Sequence, residues 1–188
     1  MSEVEVEPEW LEALRRNSGL ALDAEGRWRF ASGFVENERV AEMFHRGVAV
    51  REDGEVTLTV GHMWAYVKCD GPAFFVRAVR SSSAEGRASG PVVELAGGRE
   101  VGLEGATFGW GPDERLYLWV QGLNGVDGPA LLLRTAHQAL LAGLQDADES
   151  GEGEGLSLIV AGRSFEVVRI AQRPGPATPR PGLVKRDT

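Results

Sequence analysis

The stretch DGPALLLRTAHQALLAGL, residues 127–144, decides how this chain is read. Asp127 or Gly128 can cap a helix, and Pro129 suits its first turn. Leu132, Leu133, Ala136, Leu140 and Leu144 then recur at helical spacing, with Leu131 and Leu141 beside them. The spacing predicts a helix over 129–144 with an apolar stripe wide enough to lie against a sheet or between two layers. Before it, residues 116–121 carry Leu116, Leu118 and Val120 against Tyr117 and Trp119, so both faces of that strand are apolar and buried. After it, 156–161 and 164–170 flank Gly162-Arg163 and read as a hairpin.

The same order occurs earlier in the chain. Trp28 and Phe30 share one face of a strand at 27–30. Val40, Met43 and Phe44 fall on one side of a helix over 36–46, which Gly47 can terminate. Strands at 48–51 and 55–60 flank the turn Glu52-Asp53-Gly54, and 64–69 alternates again. Residues 74–79 are apolar enough for a central strand. These readings give an α+β fold of two similar strand-helix-strand-strand units, at about 24–80 and 92–171. Curved antiparallel sheets are expected to wrap the two main helices.

The flanks differ in character. Residues 1–23 hold a short helix at 8–17, with Trp10, Leu11 and Leu14 on one side to cover the core. Its acidic residues come early and Arg15 and Arg16 late, which complements the helix dipole. Between the units, SSSAEGRASGP (81–91) reads as a loop or linker. A hairpin over 92–103 is expected to turn at Gly97-Gly98. Residues 172–188 include RPGPATPRP, which predicts an extended, disordered basic tail that could also serve as a polyproline ligand.

Charge and composition exclude some functions. The chain has 188 residues and a net charge of −8. Its tail is basic through Arg173, Arg180, Lys185 and Arg186, so the body is more acidic than the whole. An acidic body repels phosphate backbones, which argues against nucleic acid as a partner. No apolar run is long enough for a membrane span, and MSEVEVEPEW lacks the apolar core of a secretory signal. Cys69 stands alone, so no intrachain disulfide forms and a cytoplasmic location is the default expectation.

Three segments together resemble a known family. They are NERVAEMF (37–44), REDGEVTL (51–58) and YVKCDGPAFFV (66–76). In the second half, Arg115-Leu-Tyr117, LLLRTAH (131–137) and VAGRSFEV (160–167) fit as well. Over roughly 24–170 the order resembles the bacterial domain-of-unknown-function family 1285 and the related animal UPF family of uncharacterised proteins. The chain departs from the bacterial family at Asn37, Val60-Gly61 and Pro72-Ala73. The resemblance implies an α+β fold of two similar units, and no known activity. A signalling or small-ligand-sensing role has been suggested for such folds.

No motif carries clear chemistry. His45, His62 and His137 are far apart, and none has metal-ligand spacing. His45 and His137 are expected on the polar sides of helices. Cys69 with His62 could be drawn as a nucleophile and base, but a lone cysteine in an alternating strand reads better as a small apolar side chain. Gly105, Gly109 and Gly111 lack phosphate-loop spacing. Asp146, Asp148 and Ser150, followed by Gly151, imitate the first half of a calcium loop. Position 12 is Ser157 rather than glutamate, so a solvated acidic loop is the preferred reading. Arg134 interrupts an apolar helix and is expected to pair with a carboxylate between the units, or to contact an anion there.

The function expected is a non-enzymatic binding or regulatory module for a protein or small ligand, with no cofactor. The motive is the lack of catalytic groups and the exposed-looking Trp64, Trp110 and Trp119. His62, Asp70 and Arg134 are the candidate ligand-binding residues. The alternative is an enzyme whose histidines and carboxylates converge between the units, and an oligomeric adaptor is a third reading.

Overall fold

The fold was derived from a computed structural model, which describes residues 9–31, 33–84, 87–146 and 156–182. The chain begins with α1 (Glu9–Arg16), β1 (Leu20–Leu22), β2 (Trp28–Phe30) and β3 (Gly33–Phe34). Next come α2 (Glu38–Gly47), β4 (Val48–Val50), β5 (Val56–Val60) and β6 (Met63–Cys69). These strands form one sheet in the order β3-β2-β1-β6-β5-β4. Only β1 and β6 pair in parallel there.

The second sheet starts with β7 (Phe74–Ala84), β8 (Arg87–Leu95) and β9 (Glu100–Gly102). It continues through β10 (Phe108–Trp110), β11 (Leu116–Gln121) and β12 (Asp127–Leu132). Then follow α3 (Arg134–Leu141), β13 (Leu144–Asp146), β14 (Leu156–Val160) and β15 (Arg163–Arg169). Its order is β13-β14-β15-β10-β11-β12-β7-β8-β9, with β10–β15 and β12–β7 parallel. The fold is α+β as expected, but both sheets are mixed rather than antiparallel. One apolar cluster joins them, from Leu22 and Trp28 to Phe75, Phe108 and Leu132.

Five hairpin turns share one hydrogen-bond pattern. They span residues 23–27, 51–55, 95–99, 111–115 and 122–126. In each, the first residue's N–H donates to the fifth carbonyl, and the fourth N–H donates to the first carbonyl. The fourth residue is left-handed each time: Gly26, Gly54, Gly98, Glu114 and Gly125 have φ from 58° to 86°. In four of them the third residue keeps a negative φ, which makes a type I turn with a bulge, whereas at 95–99 Gly97 is left-handed too (φ 89°), a type II arrangement; the left-handed positions suit glycine because that region clashes with a Cβ. Glu114 alone takes that strain.

The stretch 127–144 is not one helix. Its first part is strand β12, buried from Gly128 to Leu132, and only Arg134–Leu141 is helical. An apolar run buried on both faces has no period of its own, so leucine-rich spacing suits either structure. Asn124-Gly125 is the hairpin signal that decides it, pairing β12 with β11. Pro129 is tolerated because the pairing with β7 begins only at Ala130. The linker expected at 81–91 is also a strand pair: Ser81 pairs with Pro91 and Ala84 with Arg87.

Both ends of the chain dock differently from expectation. α1 approaches β6 through cations, with Arg15 4.2 Å above Trp64 and Arg16 4.0 Å above Tyr66. Trp10 and Leu14 remain 67% and 62% exposed, so its apolar side faces outward. The tail, expected to be disordered, packs on the body through Gly182. Arg173 pairs with Asp113 at 3.0 Å, and Arg180 with Asp127 at 2.9 Å. The Trp119 indole N–H donates to the Thr178 carbonyl at 2.9 Å, while Ala177 lies against Gly54 in the other sheet.

Two outcomes follow. Glu114→Gly raises stability by about 0.5–1 kcal/mol, because it relieves a left-handed side chain at the cost of a freer unfolded chain. Urea unfolding measures it. Ending the chain at Gln172 removes the acceptor of a buried indole N–H and lowers stability by at least about 1–3 kcal/mol in the same assay.

Candidate functional site

The last turn of α2 rests on the β8–β9 turn, and a cavity opens beside the contact. Asn37 starts α2 by accepting from the N–H groups of Arg39 and Val40. Gly47 ends it against the Thr59 carbonyl, where a Cβ would not fit. That places Glu42, His45 and Arg46 toward the second sheet. The Gly97 N–H donates to the Glu42 carboxylate at 3.0 Å, and Arg46 Nε donates to the Gly97 carbonyl at 3.2 Å. Glu42 also pairs with Arg77. Gly97 has φ 89°, and a Cβ there would stand 2.6 Å from the Arg46 amide nitrogen.

The cavity encloses about 240 Å³. Val48, Phe74, Leu95 and Ala96 form apolar walls, and Leu123, 62% exposed, lies at its mouth. His45, Arg46 and Arg99 also line it, and no carboxylate does. A shallower groove of about 500 Å³ adjoins it, sharing Arg46 and Leu123 and adding Met43.

Arg99 is the unusual group. Its guanidinium lies 5.8 Å from the Phe74 ring centre, and Nη2 is buried with no hydrogen-bond partner among the described residues. Burial pulls its pKa below the usual arginine value, with no opposing carboxylate. His45 is settled differently. Its Nε2 lies 3.1 Å from the Gly26 carbonyl, which can only accept, so Nε2 carries the proton. Burial, then the charge of Arg77, push the ring down to about 4, against the Gly26 carbonyl and Glu42. The ring is therefore neutral near pH 7.

The residues picked from sequence do not meet. His62 is exposed in the β5–β6 turn, and Asp70 is exposed just past the far end of β6. Seven strand residues separate those positions by roughly 25 Å. Arg134 opens α3, exposed, with no carboxylate partner among the described residues. None of the three lines the cavity. Asp146 ends β13, and Asp148 and Ser150 lie outside the described residues. Among the described residues, no three His, Cys, Asp or Glu side chains form a group that could hold a metal.

Other expectations change with burial. His137 is not solvated: its Nδ1 accepts from the Leu116 N–H at 3.3 Å, and the ring stacks on Trp110. Burial and Arg115 lower its pKa. Cys69 is pushed up to about 12 by burial and Asp70, as fits an inert thiol. Trp119 is buried, and Trp64 and Trp110 are half-buried. Arg99 gave no sequence signal, since a charged residue closing a glycine turn reads as solvated. No helix of the described residues is long and apolar enough to cross a membrane.

Comparison with known proteins bears on the fold. No family model and no curated protein matches the sequence. A solved DUF1285 family protein from Silicibacter pomeroyi DSS-3 is similar, with a TM-score of 0.56 and 16% identity. The match covers 80% of this chain and 79% of that one. A DUF1285 family protein from Shewanella baltica OS155 aligns with a TM-score of 0.47 and 15% identity, over 65% of this chain and 89% of that one. The first likeness shows a shared fold. The resemblance to the animal UPF family finds no support in these structures.

His45 makes stability depend on pH with a definite sign. Its folded value of about 4 lies below the ordinary 6.5, so protons bind the unfolded chain more tightly. The contribution is full above pH 6.5 and is lost as pH falls from 6.5 through 4, reaching about 3 kcal/mol. His45→Gln can still donate to Gly26 and does not titrate. Urea unfolding between pH 7 and pH 4 shows a shallower loss for that variant than for the wild type.

Proposed function

We propose that this chain, which has the fold of a DUF1285 family protein, is a non-enzymatic binding module with its small ligand in the cavity between α2 and the β8–β9 turn. The observation that carries this reading is Arg99, a cation set without a carboxylate in a recess whose other side chains are Arg46, His45 and apolar residues. Arg99 is half-buried, but its Nη2 is buried and unpartnered among the described residues, so a ligand acceptor would find a donor in place there. The lining offers no nucleophile, and the His45 Nε2 proton is committed to a backbone carbonyl. That supports binding over catalysis.

The module is two copies of one unit, β1 to β6 and β10 to β15, with β7 to β9 between them. What supports this is connectivity. One sheet runs β3-β2-β1-β6-β5-β4, and the matching part of the other runs β12-β11-β10-β15-β14-β13. In each, the helix follows the third strand, and the first strand pairs in parallel with the last. Arg27 and Arg115 close equivalent turns. Gly47 and Gly143 each follow or end the helix and press on a carbonyl, of Thr59 and Ile159, each the fourth residue of its strand.

Two experiments test these readings. In a thermal-shift screen of small organic fragments, hits stabilise the wild type and vanish in Ala96→Leu, which fills the cavity. Hits that survive that substitution overturn the cavity reading. For the duplication, Gly47→Ala and Gly143→Ala each cost about 1–3 kcal/mol through the same backbone collision. Gly102→Ala, in open space, stays within about 0.5 kcal/mol. A marked cost at only one of the first two counts against equivalent units.

A further inference from the structure

Resting on that cavity, we infer that its ligand is a small organic carboxylate with an apolar body. Two features of the lining select this class. The charge present is cationic, from Arg46 and Arg99, with no acidic side chain to neutralise either. A neutral ligand would leave the Arg99 charge uncompensated, and a cation would add to it. A planar guanidinium can meet two oxygens of one anion at once, as a carboxylate offers, and the apolar walls then decide between a carboxylate with a body and a bare ion. Arg46 is held in place by its Nε bond to the Gly97 carbonyl, so it adds positive potential at the wall without reorganising.

Apart from the neutral His45 ring and the Gly97-Gly98 backbone, the rest of the wall is hydrocarbon. Val48, Phe74, Leu95 and Ala96 are all buried and supply no hydrogen-bonding side chain. An inorganic anion would meet these surfaces without gaining from them, whereas an aromatic or aliphatic body would. The volume of about 240 Å³ lies below the range of roughly 300–1,000 Å³ for drug-sized ligands, so the body is small. Leu123, exposed at the mouth and shared with the adjoining groove, would be covered when the cavity fills.

The test uses benzoate, its neutral analogue benzamide, and inorganic phosphate, with affinities measured by calorimetry on the full chain. Benzoate is expected to bind the wild type at least about tenfold more tightly than benzamide. Phosphate is expected to bind more weakly than benzoate. Arg99→Met should level benzoate with benzamide, and Arg99→Lys should retain part of the preference. A melting curve for each variant confirms that it folds. Equal binding of benzoate and benzamide, both lost in Ala96→Leu, overturns the carboxylate class while the cavity reading stands. Phosphate binding as tightly as benzoate overturns the apolar body. A preference that persists in Arg99→Met overturns the role of Arg99. If benzoate fails to bind while screening hits still depend on Ala96, the class is wrong. If those hits are absent as well, the cavity reading falls with it.

Discussion

Parallel pairing between strands far apart in sequence is the constraint on which both sheets rest. Ala21 and Leu22 lie beside Lys68 and Cys69, and Phe108 to Trp110 beside Val167 to Arg169. A tight turn cannot join parallel neighbours, so the chain must leave the sheet and return. α2 and α3 lie in those excursions, and the remaining pairings in each return are local hairpins. Leu22 and Phe108, on the two first strands, are fully buried. The non-local pairs must recover the loop-closure entropy that the hairpins scarcely incur. Hairpin turns of one hydrogen-bond pattern therefore recur cheaply, while each sheet is closed by only a few parallel registers.

The contact that seats α2 on the second sheet also shapes the cavity. Glu42 and Arg46 hold the two peptide groups that flank the Gly97 Cα, Glu42 by accepting from the Gly97 N–H and Arg46 by donating to the Gly97 carbonyl. The Glu42 carboxylate is thereby committed to Gly97 and Arg77. Arg99, two residues on, is left without an acid. His45 resolves the same burial by staying neutral, an option its ordinary pKa near 6.5 allows and that of arginine does not. The two groups thus respond differently to one apolar environment: the imidazole is neutral, and the arginine keeps a charge that no described carboxylate meets.

Much of the fold was legible because its punctuation is strong. Glycine at the fourth turn position marked the hairpins after 51 and 95, and Gly47 ended α2 in the sequence as it does in space. The reading failed where a pattern has two physical solutions. Leu131 and Leu132 satisfy helical spacing, yet they pair with Tyr117, Phe75 and Val76 as a strand buried on both faces. Ser81 to Pro91 has loop composition, but backbone pairing in a two-stranded ribbon does not need apolar side chains. Arg15 and Arg16 suited a helix dipole, and their stacking on Trp64 and Tyr66 depended on a strand fifty residues away. The candidate site was illegible for a similar reason. Arg99 acquires its character only from the walls that Phe74, Leu95 and Val48 build around it.

The strap from Arg173 to Arg180 has a consequence for the order of assembly. It grips Asp113, Trp119 and Asp127 of the second sheet and lies against Gly54 of the first. A ribosome makes those residues after every strand they touch, and domains fold as synthesis proceeds. The Trp119 indole N–H therefore has no Thr178 carbonyl to meet until every strand of both sheets has been made. The strap is then a clasp, fastening two sheets whose strands all precede it in the chain.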